Sequence, residues 1–152
     1  MAAVKSESAI IKWPDKRLRQ ESELIPSYWT GREHMFEILT RIADERNAEG
    51  LAAPQIGCMK TAFVMRVNGE YIRVINPQIT GRSGGRESAV EGCLSLPGTT
   101  VRVRRHRKVR GFWVDDSWQL QPFEFTGLPA RVFQHEYDHL IGKLIIDRTL
   151  GD

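Results

Sequence analysis

Met35, Ile38, Leu39, Ile42 and Ala43 recur at helical spacing, and Thr30-Gly31-Arg32-Glu33 ahead of them has the form of a capping box. A helix is predicted over 31–47 with this stripe turned inward. Upstream, 10–28 sets Ile10-Ile11, Trp13-Pro14 and Ile25-Pro26 among charges, which suits an extended arm better than a long helix. Downstream the pattern becomes that of strands. Residues 61–67 and 71–75 are β-rich and joined by Asn68-Gly69, a strong hairpin signal. Asn76-Pro77 should close the second of these strands, and Gly81-Arg82-Ser83-Gly84-Gly85-Arg86 should form a flexible loop. Two further strands are expected over 101–114 and 118–125, separated by the turn Asp115-Asp116-Ser117. A last helix should begin near Gly127 to Pro129, where proline is tolerated, and stop at Gly142. On it Leu128, Val132, His135 and His139 follow one stripe, expected to be buried.

Composition narrows the class. A chain of 152 residues, 41% hydrophobic and 27% charged, is an ordinary globular protein, read as a single domain over 1–152 with a real core. Met1-Ala2-Ala3-Val4-Lys5-Ser6-Glu7 holds no apolar segment of the secretory kind, and no run is long enough to span a bilayer. A cytoplasmic location without a membrane partner is the expectation, or an organelle if the source is a eukaryote. In a reducing compartment Cys58 and Cys93 read as buried thiols or a metal ligand rather than a disulfide. The net charge of +3 is unevenly spread. Arg102, Arg104, Arg105, Arg107, Lys108 and Arg110, with His106 among them, form a basic run on a predicted strand. Such a run is either a nucleic-acid footprint or a solvated, internally paired face, and the second reading is preferred.

Candidate chemistry centres on Gln134-His135-Glu136-Tyr137-Asp138-His139-Leu140. Two histidines four apart share one face of a helix and can bind one metal ion, with Glu136 beside it as a general base. The plain alternative is an amphipathic helix with solvated polar residues. A metal site needs a further ligand, and Cys93, flanked by turn residues in Glu91-Gly92-Cys93-Leu94-Ser95-Leu96-Pro97-Gly98, is a candidate against the usual buried, inert cysteine. Cys58 shows no sign of more than packing. In Gly50-Leu51-Ala52-Ala53-Pro54-Gln55, the Gln55 amide could donate to an oxygen, although composition favours a tight turn with a solvated glutamine.

Gly50-Leu51-Ala52-Ala53-Pro54-Gln55, Glu91-Gly92-Cys93-Leu94-Ser95 and Gln134-His135-Glu136-Tyr137-Asp138-His139 together resemble the three motifs of the peptide deformylases, in the same order and at similar spacing. The similarity covers nearly the whole chain. It implies an α+β fold, with small mixed or antiparallel sheets packed around a central metal-binding helix. It also implies that Cys93, His135 and His139 are metal ligands, leaving a fourth position for a water made nucleophilic near neutral pH. The ion would be Fe²⁺, with Zn²⁺, Ni²⁺ or Co²⁺ able to substitute. Glu136 would take the water proton and deliver it to the leaving amine, while the Gln55 amide and the Leu94 backbone N–H hold the oxyanion. Asp138 is similar to a structural aspartate, with Arg105 as its partner. Glu49, Gly50, Gly92, Leu128, Arg131 and Val132 would border the substrate. The implied reaction is hydrolysis of the formyl group from N-formyl-methionyl peptides, with a transient ribosome contact and no specific nucleic acid.

Three departures from the family pattern stand out: Ala48 in place of a glycine, Glu49 in place of an aliphatic residue, and a chain that ends at Asp152 without a long C-terminal extension. A zinc protease would use the same two-histidine helix but places its third ligand farther downstream, where Asp147 fits poorly. A non-catalytic RNA- or ribosome-binding module would explain the basic run and leave the three motifs without a role.

Overall fold

The structure is a computed structural model that describes residues 9–149. The readings made at Met1–Glu7 and at the chain end, Asp152, lie outside the described residues. Five strands form one antiparallel sheet in sequence order: β1 (Gly50–Ala52), β2 (Ala62–Val67), β3 (Glu70–Cys93), β4 (Leu96–Val114) and β5 (Leu120–Thr126). It is accompanied by the helices α1 (Arg32–Glu45) and α2 (Leu128–Leu140). Single 3₁₀ turns occupy Lys16–Arg19, Ala53–Ile56 and Ile145–Asp147. This is the expected α+β class. None of the described helices is long and apolar enough to cross a membrane.

The pleat sorts the core into two layers. On β2, Ala62 and Val64 pack with Leu39, Ile42 and Leu51 under α1, whereas Phe63 and Met65 pack with Phe133 and Val109 under α2. Successive side chains on a strand point to opposite faces, so a strand covered by a helix on each face must be apolar at every position. That is why 62–65 reads as a continuous hydrophobic run rather than an alternating one. Phe133 is the anchor of the second layer: its ring lies 4.3 Å from that of Phe123 and meets Phe63 edge-on at 5.1 Å. Contacts of this kind fix the rotation of α2, and with it the direction in which the two histidines face.

The hairpin forms as predicted, with Asn68 (φ 53°) and Gly69 (φ 82°) both left-handed and Val67 paired with Glu70. Three expectations need correction. Asn76-Pro77 does not close the strand and 81–86 is not a loop: β3 runs on to Cys93, passing these residues at register shifts between Ile75 and Gln78, Ile79 and Gly81, and Ser83 and Arg86. Bulges let proline and glycine sit within a strand and bend it around the α2 side of the molecule. The capping box at 30–33 does not form: the helix is capped by Gly31, which has no side chain to accept a bond, and Glu33 accepts from Arg73 at 2.7 Å. The stripe on α2 is not buried throughout, since Leu128 is 60% exposed while Val132 and His139 are buried. Leu128 is the first residue of the helix and lines a pocket, whereas Ala130 in the same turn is fully buried.

Candidate active site

Three elements converge on one point. The end of β3 brings Cys93, α2 brings His135, Glu136 and His139, and β1 with its following 3₁₀ turn brings Gly50 and Gln55. The ligand atoms of Cys93, His135 and His139 all lie within 4.8 Å of one another, and Cys93 Sγ is 3.5 Å from His139 Nε2. A thiol and two imidazoles in such a cluster are the donor set of a divalent transition metal, so these residues fit the ion that the motifs imply. Burial holds the pKa of His139 well below its ordinary value, which keeps the ring neutral and its lone pair free to coordinate. Burial acts the same way on His135, but hydrogen bonds with Cys93 and Glu91 and the nearby Glu136 outweigh it and push that pKa up to about 10. Groups that attract a proton to this spot attract a metal cation through the same field.

Glu91 orients His135. Its Oε1 lies 2.8 Å from His135 Nδ1, which leaves Nε2 to face Cys93. Glu91 is itself 8% exposed and takes two bonds from Arg105, at 2.7 and 2.9 Å, and one from Arg131 at 2.6 Å. Burial works to raise its pKa, and the bonds from His135 and Arg105 reverse this and hold the carboxyl far below its usual range. Arg105 also donates to Asp138 at 2.9 Å, and Arg148 bonds the same carboxylate at 3.1 and 3.3 Å. Part of the basic run is therefore internal scaffolding under α2.

Sequence reasoning gave Glu91 no role. The available signal was an acidic residue two positions before the candidate thiolate, in a strand opposite six cations. A buried carboxylate there needs a cationic partner.

Gln55 is 2% exposed, which overturns the solvated glutamine. Its Oε1 accepts from Ala52 N at 2.9 Å, a bond that only the oxygen can accept, so Nε2 is turned toward Ser95 Oγ at 3.1 Å and Cys93 Sγ at 3.6 Å. Ser95, fully buried, is a second residue the sequence reading passed over. Glu136 is 4% exposed and its Oε1 has no partner among the described residues. Burial pushes its pKa up to about 7. The carboxyl lies against β1 at Gly50, where a Cβ would fall 2.7 Å from Glu136 Oε2, so a side chain there would push the carboxyl from its place. Cys58, by contrast, is half-buried against the α1 layer, where burial raises its thiol pKa.

Gln55, Glu91, Cys93, His135 and Glu136 line a pocket of about 680 Å³. Glu49, Gly50, Gly92, Leu128, Arg131 and Val132 also line it, and Leu94 stands beside Cys93 at its edge. Arg131 commits its guanidinium to Glu91, Val103 O and Glu87 O. It is not the partner of Glu49, which pairs with Arg66 at 3.3 Å.

The chain is similar throughout to proteins of one kind. A peptide deformylase of Thermotoga neapolitana is 38% identical over 134 residues, covering 88% of this chain and 82% of that protein. The crystal structure of peptide deformylase from Thermotoga maritima superposes with a TM-score of 0.88 at 35% identity, covering 92% of this chain and 95% of that one. A peptide deformylase from Synechococcus elongatus in complex with actinonin gives a TM-score of 0.90 at 31% identity, over 98% and 82% of the two chains. The family model for polypeptide deformylase matches residues 7–151, and the chain belongs to the polypeptide deformylase family, hydrolases that remove the formyl group from nascent peptides.

Proposed function

We propose that residues 1–152 act as one catalytic domain that hydrolyses the N-formyl group of formyl-methionyl peptides, with Glu136 as the proton carrier. The observation that supports this most directly is Glu136 Oε1, buried without a partner on the helix turn between two metal-ligating histidines. Cys93, His135 and His139 would hold one divalent ion, Fe²⁺ by family resemblance, with Zn²⁺, Ni²⁺ and Co²⁺ fitting the same donors. When bound, such an ion lowers the pKa of water and polarises a carbonyl oxygen.

The protein's own groups supply the rest. A carboxyl with its pKa near 7 is half ionised at neutral pH, so Glu136 can take a proton from the attacking water at Oε1 and return it to the departing amine. As the formyl carbon becomes tetrahedral, its oxygen gains charge. Gln55 Nε2, already locked toward Cys93 by the bond between Oε1 and Ala52 N, donates to that oxygen, and the backbone N–H of Leu94 is the second donor. A donor held in place before reaction contributes roughly 3–4 kcal/mol. The exposed Leu128 and the buried Val132 offer apolar wall to the methionine side chain, and Glu49, Gly50, Gly92 and Arg131 border the peptide beyond it. Such a substrate is met during synthesis, which entails a transient contact with the ribosome and a location where translation occurs, in the cytoplasm or an organelle.

Formate release from formyl-Met peptides, measured beside cleavage of intact unformylated peptides, separates this reading from that of a zinc protease. Glu136→Ala should keep its metal and lose about 10²–10⁴-fold in turnover. Peptide-bond cleavage without formate release would overturn the proposal. So would a Glu136→Ala protein that loses the metal and regains activity when metal is added.

A further inference from the structure

Deformylation leaves most of the basic run unused. Arg105 is taken up by Glu91 and Asp138, Arg107 pairs with Glu87 at 3.6 Å, and Lys108 pairs with Glu124 at 3.4 Å. Arg102, Arg104 and Arg110 have no carboxylate partner among the described residues, and neither has Arg82 on the neighbouring strand. Arg82 and Arg104 border a concavity of about 190 Å³ together with Arg86, His106 and Arg148. This space is separate from the pocket of the active site, with Arg105 standing between the two.

Charge and wall chemistry decide what the concavity takes. Five guanidiniums line it, counting Arg105, against one carboxylate, Asp138, which is already bonded by both Arg105 and Arg148. His106 reflects the excess of positive charge: burial first, then Arg86 and Arg82, hold its pKa below the ordinary value. Among the described residues no aliphatic side chain and no Phe, Tyr or Trp lines the space, so an acyl chain has no wall to pack on. A compact oxyanion does fit, because forked guanidiniums bind phosphate oxygens in pairs.

We propose that the concavity is a phosphate-binding site that seats the backbone of RNA, with Arg82 and Arg104 as its principal contacts and Arg102 continuing the track along β4. Alternate residues on a strand share a face and stand about 6.6 Å apart. Two cations on one face of a strand can each neutralise a phosphate of the same nucleic-acid strand. A free phosphate would have no use for the unpaired cations outside the concavity. The choice of RNA over DNA rests on the deformylase reading, which places the protein beside polypeptides as they are made. Contacts to phosphate alone give binding that depends steeply on salt and little on sequence.

The test uses the full, metal-loaded chain and a labelled single-stranded RNA of mixed sequence, with fluorescence anisotropy followed across a series of salt concentrations. The double variant Arg82→Gln/Arg104→Gln should bind about tenfold more weakly and lower the salt slope by about two. Its rate of formate release should stay within about twofold of wild type, since neither residue touches the catalytic groups. The charge-matched Arg32→Gln/Arg41→Gln, on α1, should change RNA affinity by less than about twofold. Equal losses in the two double variants, or no loss in either, would overturn the site. Inorganic phosphate bound by wild type, with RNA affinity indifferent to the substitutions, would overturn the RNA assignment. Polyglutamate displacing RNA at lower concentration than RNA itself would do the same in favour of an acidic protein segment. A wild type that releases no formate counts against the deformylase reading, while the RNA measurement, which needs no turnover, still decides the site.

Discussion

Arg105 is 6% exposed and joins Glu91 to Asp138, while Arg104, its neighbour in sequence, is exposed beside the basic concavity and has no carboxylate partner among the described residues. Both border the basic concavity, but Arg105 reaches the buried carboxylates of Glu91 and Asp138 while Arg104 stays at the surface. The charge run thus holds one inward cation, Arg105, among outward ones, Arg107 included. The inward cation supports the helix α2 through Glu91 and Asp138, and the outward set gives the surface its positive potential. Mean charge along the run cannot distinguish these roles, but burial and partner can.

The inward network ends at the proposed metal ligands, and removing one of them is the most severe way to break the comparison. Cys93→Ala, His135→Ala and His139→Ala should each lose the ion and with it nearly all activity, because among the described residues only those three donors converge. Cys58→Ala, the same chemical change at a half-buried thiol in the other layer, should keep about one ion per chain. Elemental analysis of protein purified without oxygen reads this directly. Stoichiometric metal in Cys93→Ala would show that Cys93 is not a ligand.

A second experiment sets the two arginines against each other. Arg105→Met leaves two buried carboxylates short of a partner and should cost about 3 kcal/mol, the low end for breaking a buried pair, because Arg131 still bonds Glu91 and Arg148 still bonds Asp138. Arg104→Met should stay within about 0.5 kcal/mol of wild type, as exposed substitutions do. Urea unfolding at unchanged m-value compares them. Equal shifts in midpoint would mean that Arg105 is no more engaged in the fold than Arg104.

What the sequence made legible follows from how local each signal is. The α1 stripe, the Asn68-Gly69 hairpin and the pairing of His135 with His139 on one helical face are all set by neighbours within a few residues, and all three appear. The errors are long-range. Pro77 and the glycines of 81–86 read as breaks, but β4 supplies partners that carry β3 past them with bulges. Gln55 read as solvated because Ser95, which receives its N–H, is 40 residues away. Glu33 read as a cap because Arg73, which holds it instead, is also 40 residues away. Cys93 could be joined to the helix only through resemblance, since no helical or strand period links it to His135. Glu91 needed the register that places it opposite Val101 and within reach of Arg105.

The smallest expected effect concerns Glu49, a charge that belongs to neither set. It lines the active-site pocket from the residue before β1, is about half exposed, and accepts from Arg66 at 3.3 Å, while Arg66 also bonds Asn47 and Tyr71. An extended peptide bound beside β1 brings the residues after its formyl-methionine near this carboxylate. Lys or Arg there should therefore be preferred over Glu. Arg66 already takes up part of the charge and water screens the rest, so the preference should amount to about 0.2–1 kcal/mol, no more than roughly fivefold in kcat/KM. It should also fade as salt rises. Formyl-Met peptides with Lys or Glu at the second and third positions, assayed with wild type and Glu49→Ile, measure it. A preference that is absent in wild type, or that survives unchanged in Glu49→Ile, would assign Glu49 to Arg66 alone and leave substrate choice to the apolar wall formed by Leu128 and Val132.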